Sequence, residues 1–212
     1  MPSPDVEAAL VERLGVSRET LERLGACVTL LERWQRRINL VGPATLSQAW
    51  HRHVLDSAQI VPLLPPSGRI VDIGSGAGFP GLIVAIVTGR TIDLVESDRR
   101  KAAFLREAAR VAAAPVEVHA ERAETLHGRL SGRFAAVTAR ACAPLPKLLT
   151  WGAPFLAPDG VMVLHKGGGG LDELTEARTR WSMRVETTPS WTDPDGVILR
   201  IEELRGAESQ RE

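Results

Sequence analysis

At 212 residues the chain has room for one medium-sized core with a short extension. Apolar residues make up 44% and charged residues 25%, a globular composition that excludes wholesale disorder. The formal charge is zero, so a nucleic-acid partner would have to be met by local basic patches.

Residues 1–66 read as helical. Leu10, Leu14, Leu21, Leu24, Leu30, Leu31 and Trp34 fall at helical spacings, and a further helix is predicted from about Leu46 to Leu64, ending before Pro65-Pro66. From residue 67 short β-branched runs alternate with helical stretches: RIVDI, PGLIVAIV, TIDLVE, RRKAAFLREAARVAAA, PVEVHA, FAAVTAR, a helix around Leu145 to Phe155, GVMVLHK, and a helix around Leu171 to Trp181. Two strands near Met183–Thr187 and Val197–Glu202 follow with no helix between them. The pattern predicts an α/β fold: a mostly parallel, Rossmann-like seven-stranded sheet with an antiparallel edge hairpin, an ending that by analogy of fold resembles class I methyltransferase sheets more than dinucleotide dehydrogenases. The expected division is a helical extension over 1–66, a catalytic domain over 67–205 and a disordered tail over 206–212.

Cys27 and Cys142 are far apart with no CxxC pair. That argues against a disulfide framework or a zinc site and suits a reducing cytoplasm. The N-terminus MPSPDVEAALVERLG has early acids and no apolar stretch, so it is not read as a signal peptide. No run of about 18 apolar residues occurs, so no membrane span is expected. A cytoplasmic monomer without a metal is the expectation.

The richest segment runs from Asp72 to Gly81, DIGSGAGFPG, between a predicted strand and a predicted helix. Its glycines, Gly74, Gly76 and Gly78 among them, allow a tight turn and close approach of backbone to a ligand. Glu96 ends the next strand about 20 residues on, where an acid accepts bonds from ribose hydroxyls. The GxGxxG spacing admits a dinucleotide, and an NAD(P)-dependent oxidoreductase is one reading. Asp72 beside the loop and Glu124 in a later loop would repel a pyrophosphate but favour a sulfonium and an ammonium. That favours S-adenosyl-L-methionine as cofactor.

Sulfonium methyl transfer is a displacement, so alignment dominates catalysis. After the fourth strand the chain reads Thr138-Ala139-Arg140-Ala141-Cys142-Ala143-Pro144, without the Asn/Asp-Pro-Pro-aromatic motif of amine methylation and without a Pro-Cys pair framing Cys142 as a nucleophile. A guanine N7 carries no proton to remove, and positioning cations such as Arg140 and Lys166, at the ends of successive strands, suit it.

Asn39-Leu40, Arg52-His53-Val54-Leu55-Asp56-Ser57, Asp72 through Gly81, Arg122-Ala123-Glu124, Arg140-Ala141 and Lys166-Gly167 together resemble the small-subunit ribosomal RNA methyltransferase G family, also called glucose-inhibited division protein B. The resemblance covers roughly residues 30 to 170. It implies methylation of N7 of guanine 527 of 16S ribosomal RNA, on free rRNA or an assembling 30S particle. It also implies Gly74 and Phe79 in the cofactor loop, Ala123 and Glu124 around the adenine, Arg140 as a cofactor or substrate contact, and Lys166 facing substrate. His53 and Asp56 serve either the substrate side or a structural cluster; Arg52 and Asp56, four apart, could pair as surface ions. Asn39 is read as substrate-side or as a helix terminator.

Among basic clusters, Arg99, Arg100 and Lys101, with Arg106 and Arg110, follow the Glu96 strand and are read as a phosphate-binding edge. Arg33-Arg36-Arg37 and Arg129 with Arg133 are the other candidates. Tyrosine is absent, so recognition of RNA shape is expected instead of a stacking platform. Two further readings stand beside the methyltransferase: a non-catalytic RNA-assembly factor with a vestigial loop, and a small-molecule methyltransferase.

Overall fold

The short apolar runs assemble, in the computed structural model of the chain, into one seven-stranded sheet of order β3-β2-β1-β4-β5-β7-β6. The structure describes residues 1–206. Strands β1 (Ile70–Ile73), β2 (Ile92–Val95), β3 (Val116–His119), β4 (Phe134–Arg140) and β5 (Leu156–Lys166) pair in parallel. The last two, β6 (Trp181–Pro189) and β7 (Val197–Gly206), form the antiparallel edge, with β7 inserted beside β5. The mostly parallel sheet with an edge hairpin is the architecture predicted from the strand and helix alternation.

Side chains alternate across the sheet with period two. Ile70, Ile92, Leu94, Ala136, Val163 and Ile198 pack with one core. Helices α1 (Pro4–Leu14), α2 (Arg18–Gln35), α5 (Gly81–Thr88) and α6 (Arg99–Val111) cover that face. Val71, Ile73, Val95, Val137, Met162 and Leu199 belong to the other core, covered by α7 (Ala123–Leu130), α8 (Leu145–Gly152) and α9 (Gly170–Ala177). Strands β1, β2 and β4 and the second half of β5 are buried on both faces, which is why they read as continuous apolar runs, whereas β3 and β6, nearer the edges, alternate or are half-exposed.

The N-terminal helices share the first core. Gly15 closes α1 at φ 64, and the Ser17 hydroxyl caps α2 by accepting the Thr20 N–H. Helix α2 docks on α6: Arg23 donates to the carbonyls of Ala112 (2.7 Å) and Ala113 (3.1 Å), and Trp34 meets Phe104 edge-on.

Several expectations need correction. The helix predicted over 46–64 is broken into α3 (Pro43–Leu46), a π-helical turn over Trp50–Leu55, α4 (Asp56–Ala58) and a 3-10 turn over Val61–Leu63. The π turn shifts the phase of the side chains, so Arg52 and Asp56 do not pair; Arg52 faces Asp193 and Asp56 faces Arg140. The segment holding Glu124, read as a loop, is helix α7; Ala123, Leu126 and Leu130 are its buried stripe, too short to stand out. Gly206 is the last residue of β7, not the start of a tail, and residues 207–212 lie outside the described residues. No helix among the described residues is long and apolar enough to cross a membrane.

Candidate active site

The sheet order reverses at β1, with β2 on one side and β4 on the other, and the crevice beyond these strand ends is where such sheets bind ligands. The chain leaves β1 through Gly74, Gly76 and Gly78, all at positive φ (66, 54 and 87). A Cβ on Gly74 would stand 2.7 Å from that of Cys142, and one on Gly78 would stand 2.7 Å from that of Leu82. Gly81 lets α5 approach β1, since a Cβ there would meet Asp72 Cβ at 2.6 Å. Glu96 holds the loop from the end of β2. Its Oε2 accepts the Gly76 N–H at 2.9 Å and its Oε1 the Asp98 N–H at 2.7 Å.

These elements wall a cleft of about 530 Å³, a volume ordinary for a small-molecule site. Gly74, Gly76, Phe79, Glu96, Ala123, Glu124 and Arg140, all singled out from the sequence, line it, as do His53 and Lys101. Asp72 and Gly78 do not. Asp72 is fully buried beneath the loop, where its Oδ1 accepts the Thr138 hydroxyl at 2.7 Å and its Oδ2 has no partner. Burial pushes its carboxyl up to about 6, against the opposing pull of the Thr138 hydrogen bond. Gly78 serves the packing of the loop on Leu82 and Leu105.

Arg140, at the end of β4, is the centre of a second construction. Its Nη1 donates to the Arg52 carbonyl and to Asp56 Oδ2, both at 2.8 Å, and its Nη2 donates to His53 Nδ1 at 3.0 Å. The guanidinium lies 5.0 Å from the centre of the Phe79 ring, on which the His53 imidazole also stacks at 4.9 Å. His53 Nε2 reaches Thr45 Oγ1 at 2.9 Å, and that hydroxyl donates onward to the Gly42 carbonyl. Burial, then the Arg140 charge, lowers His53 to about 4. Asp56 also accepts bonds from Gln59 and Thr192. Burial works to raise its carboxyl; His165, Arg140 and Thr192 overcome this and hold it below the ordinary carboxylate value.

Beyond Arg140 opens a second cavity of about 440 Å³, lined by Arg52, His53, Asp56, His165, Lys166 and Thr192 among others. Gly42, His53, Arg140 and Ala141 belong to both cavities and form the wall between them. Lys166 Nζ lies 2.6 Å from Glu173 Oε2 and is nearly buried, so it is an ion-paired lysine and not a solvated one. Cys142 lines the first cleft, where burial pushes its thiol up to about 12 and it donates to the Ile73 carbonyl.

Besides Asp72 and Gly78, three more sequence candidates fall outside both cavities. Asn39 is exposed on the strap whose next residues, Leu40 to Gly42, line the first cleft. Arg99 and Arg100 are exposed at the start of α6, so the trio is divided: only Lys101 turns into the cleft. Thr45, Gln59, His165, Glu173 and Thr192 were not singled out from the sequence. Their partners lie up to 136 positions away, and nothing local marks them. Among the described residues one cluster has metal-ligating chemistry, Asp93, Glu117 and His119. Arg69 bonds both oxygens of Asp93 there and faces Glu117, so a guanidinium already balances the charge.

A sheet of this order, with a glycine loop after β1 and an acid after β2, defines the class I methyltransferase fold. A solved relative in shape is the O-methyltransferase of Bacillus cereus in complex with SAH, with a TM-score of 0.61 at 15% identity over 94% of this chain and 97% of that one. The family is given by sequence. The model for rRNA small subunit methyltransferase G matches residues 20–195. The ribosomal RNA small subunit methyltransferase G of Rhodospirillum centenum is 51% identical over 206 residues, 96% of this chain and 94% of its own length. Its counterpart in Paramagnetospirillum magneticum is 48% identical over 202 residues, 95% of this chain and 97% of its own. The chain belongs to the rRNA small subunit methyltransferase G family, which displaces the oxidoreductase reading.

Proposed function

We propose that the chain methylates N7 of a guanine, position 527, in 16S ribosomal RNA, with S-adenosyl-L-methionine in the glycine-loop cleft and the target base in the second cavity. The observation that carries this reading is the shared wall of Gly42, His53, Arg140 and Ala141 between two adjoining cavities. Methyl transfer needs acceptor, methyl and sulfur in line, so the two ligands must meet across one such boundary.

The first cleft fits the cofactor. Glu96 keeps lone pairs for ribose hydroxyls beyond its two N–H bonds, Val95 and Ala123 offer apolar surface to an adenine, and the glycine turn leaves room where a Cβ on Gly74 would strike Cys142. When bound, S-adenosyl-L-methionine supplies an electrophilic methyl group on a sulfonium. His53 in the wall, and Asp56 and Cys142 on either side of it, offer no free base. Both nitrogens of His53 are engaged, Asp56 accepts from Arg140, Gln59 and Thr192, and the Cys142 thiol stays protonated. This suits an acceptor such as N7, whose lone pair attacks without losing a proton.

In this reading Arg140, fixed by Asp56 and His53, orients the base by donating to guanine O6. Lys166 faces the RNA, and Arg99 and Arg100 meet its phosphates. Residues 1–66 act as an extension packed on the methyltransferase domain, 67–205, and contribute Gly42, Arg52 and His53. The chain works as a cytoplasmic monomer without a metal, since N7 attack calls for none. The test is transfer from labelled S-adenosyl-L-methionine to small-subunit particles lacking the modification, mapped by borohydride–aniline cleavage. A single stop at guanine 527 is the expected result; a stop elsewhere discards the target, and no transfer to particles or free rRNA discards the reading.

A further inference from the structure

Lys166 stands in the wall of the second cavity with a side chain only 8% exposed. Besides Glu173 it reaches, among the described residues, only the Ala143 carbonyl, at 3.2 Å. An ammonium held this far from water is costly without a counter-charge, so the buried position of Lys166 favours an anion facing it. In the free chain that anion is Glu173 of α9, and the same Glu173 oxygen also accepts the Leu145 N–H that opens α8.

The segment that delivers Glu173 is a run of glycines with few steric constraints. Between Lys166 and α9 runs Gly167-Gly168-Gly169-Gly170, and a Cβ on Gly167 or Gly169 would meet nothing within 4 Å. Neither glycine is needed for close packing, which leaves backbone freedom as their use. Gly170 is different: a Cβ there would stand 2.6 Å from Lys166 Cβ and wedge α9 away from the lysine. One glycine permits the closed pairing and two others leave the connection free to open.

We propose that Glu173 is a placeholder for an RNA phosphate: its carboxylate holds Lys166 in the free chain, and a backbone phosphate of the substrate displaces it on entering the second cavity. The inference rests on that cavity being the RNA side of the site. The placeholder keeps Lys166 paired when no RNA is present, and it sets a threshold. Loose RNA must compete with an internal carboxylate, whereas RNA that presents a phosphate at the right point replaces it and releases α9.

A double-mutant cycle on the full chain tests this, with binding to unmodified small-subunit particles as readout. Glu173→Gln removes the charge and keeps an oxygen for the Leu145 N–H. It is expected to tighten RNA binding roughly tenfold, lowering KM without raising kcat. In a Lys166→Ala background the same substitution is expected to do nothing. Equal tightening in both backgrounds would mean general loss of negative charge and would overturn the proposal, as would no tightening with Lys166 present.

Hydrogen exchange on the unaltered chain gives a second reading should Glu173→Gln fold poorly. RNA binding is expected to speed exchange over residues 170–177, and unchanged or slowed exchange there overturns the displacement. An inorganic phosphate arm separates the sources of the oxyanion. If phosphate alone speeds exchange over 170–177 as RNA does, the site belongs to free phosphate and the RNA assignment is overturned. Methyl transfer by the unaltered chain is run in parallel. Its absence counts against the methyltransferase reading, and its presence with a flat cycle counts against the placeholder alone.

Discussion

Arg140 Nη2 lies 3.0 Å from His53 Nδ1, and because a guanidinium only donates, the imidazole must accept there and carry its proton on Nε2, toward Thr45. One contact therefore fixes both the tautomer and the neutral charge of a residue in the wall between the two cavities. Protonating His53 would set a cation against Arg140, which is why burial and that arginine together hold it down to about 4.

A pH dependence of stability follows. The folded imidazole titrates near 4 and the unfolded one near 6.5, so the unfolded chain binds more protons between these values. The contribution of His53 is present above pH 6.5 and is lost as pH falls toward 4. His165, also lowered by burial, acts in the same direction, while Asp72, raised to about 6, acts in the opposite one: its contribution is present below 3.8 and is lost as pH rises through 6. Urea midpoints from pH 7 to pH 4.5 are expected to fall less steeply in His53→Gln and more steeply in Asp72→Asn than in the parent chain. Parallel slopes in all three would show that neither group titrates as its surroundings require.

Arg140→Lys is expected to lower turnover by about 100-fold, the scale for loss of one preorganised donor group. A lysine cannot serve Asp56, the Arg52 carbonyl and His53 from one plane while lying over Phe79. Asp56 keeps Gln59 and Thr192 as donors, so the fold is expected to survive. Steady-state rates beside a circular dichroism melt check both halves, and near-normal turnover would remove Arg140 from the reaction.

Much of the sheet was legible in the sequence because its central strands are covered on both faces and show as short apolar runs. The glycine loop was legible for a different reason: its backbone demands glycine, so the residue type records the conformation. The Arg140 cluster was half legible. RHVLDS and Arg140 stood out as blocks, but the π turn that breaks Arg52 from Asp56 left no mark in the hydrophobic pattern. Asp72 misled, because its place at a strand end suggested contact with a ligand, while the inward phase of β1 buries it below the loop. Glu173 and Thr192 were not legible, since they matter only through residues far along the chain.

Gly74→Ala is expected to weaken cofactor binding at least tenfold while leaving a folded chain. An alanine at φ 66 is strained, and its Cβ would press within 2.7 Å of Cys142 Cβ, displacing the loop at the cleft floor. Calorimetric titration with S-adenosylhomocysteine reads the loss. Because Cys142 is the obstacle, Cys142→Gly in the same chain is expected to recover part of the affinity, and no recovery would place the strain in the backbone alone.

The division of the α6 basic cluster separates two kinds of binding in one short run. Lys101 lines the cofactor cleft, whereas Arg99 and Arg100 are exposed outside it, Arg100 near Asp98 at 3.8 Å. A pair 73% and 37% exposed is weak, and an RNA phosphate would readily replace it. Arg99→Ala with Arg100→Ala is expected to leave cofactor affinity unchanged and to weaken particle binding. The salt slope is expected to flatten by about 0.7 for each lost contact to a single-stranded phosphate. Lys101→Ala is expected to do the reverse, weakening the cofactor with little change in the slope. Helix α6 begins with an Asp98 cap that accepts the Arg100 and Lys101 N–H groups, so these side-chain truncations leave its start intact. Filter binding over a range of salt, beside cofactor titration, compares the two variants directly. A loss of cofactor affinity in the arginine variant would mean that the rim and the cleft act as one surface, and the assignment of Arg99 and Arg100 to RNA would fall.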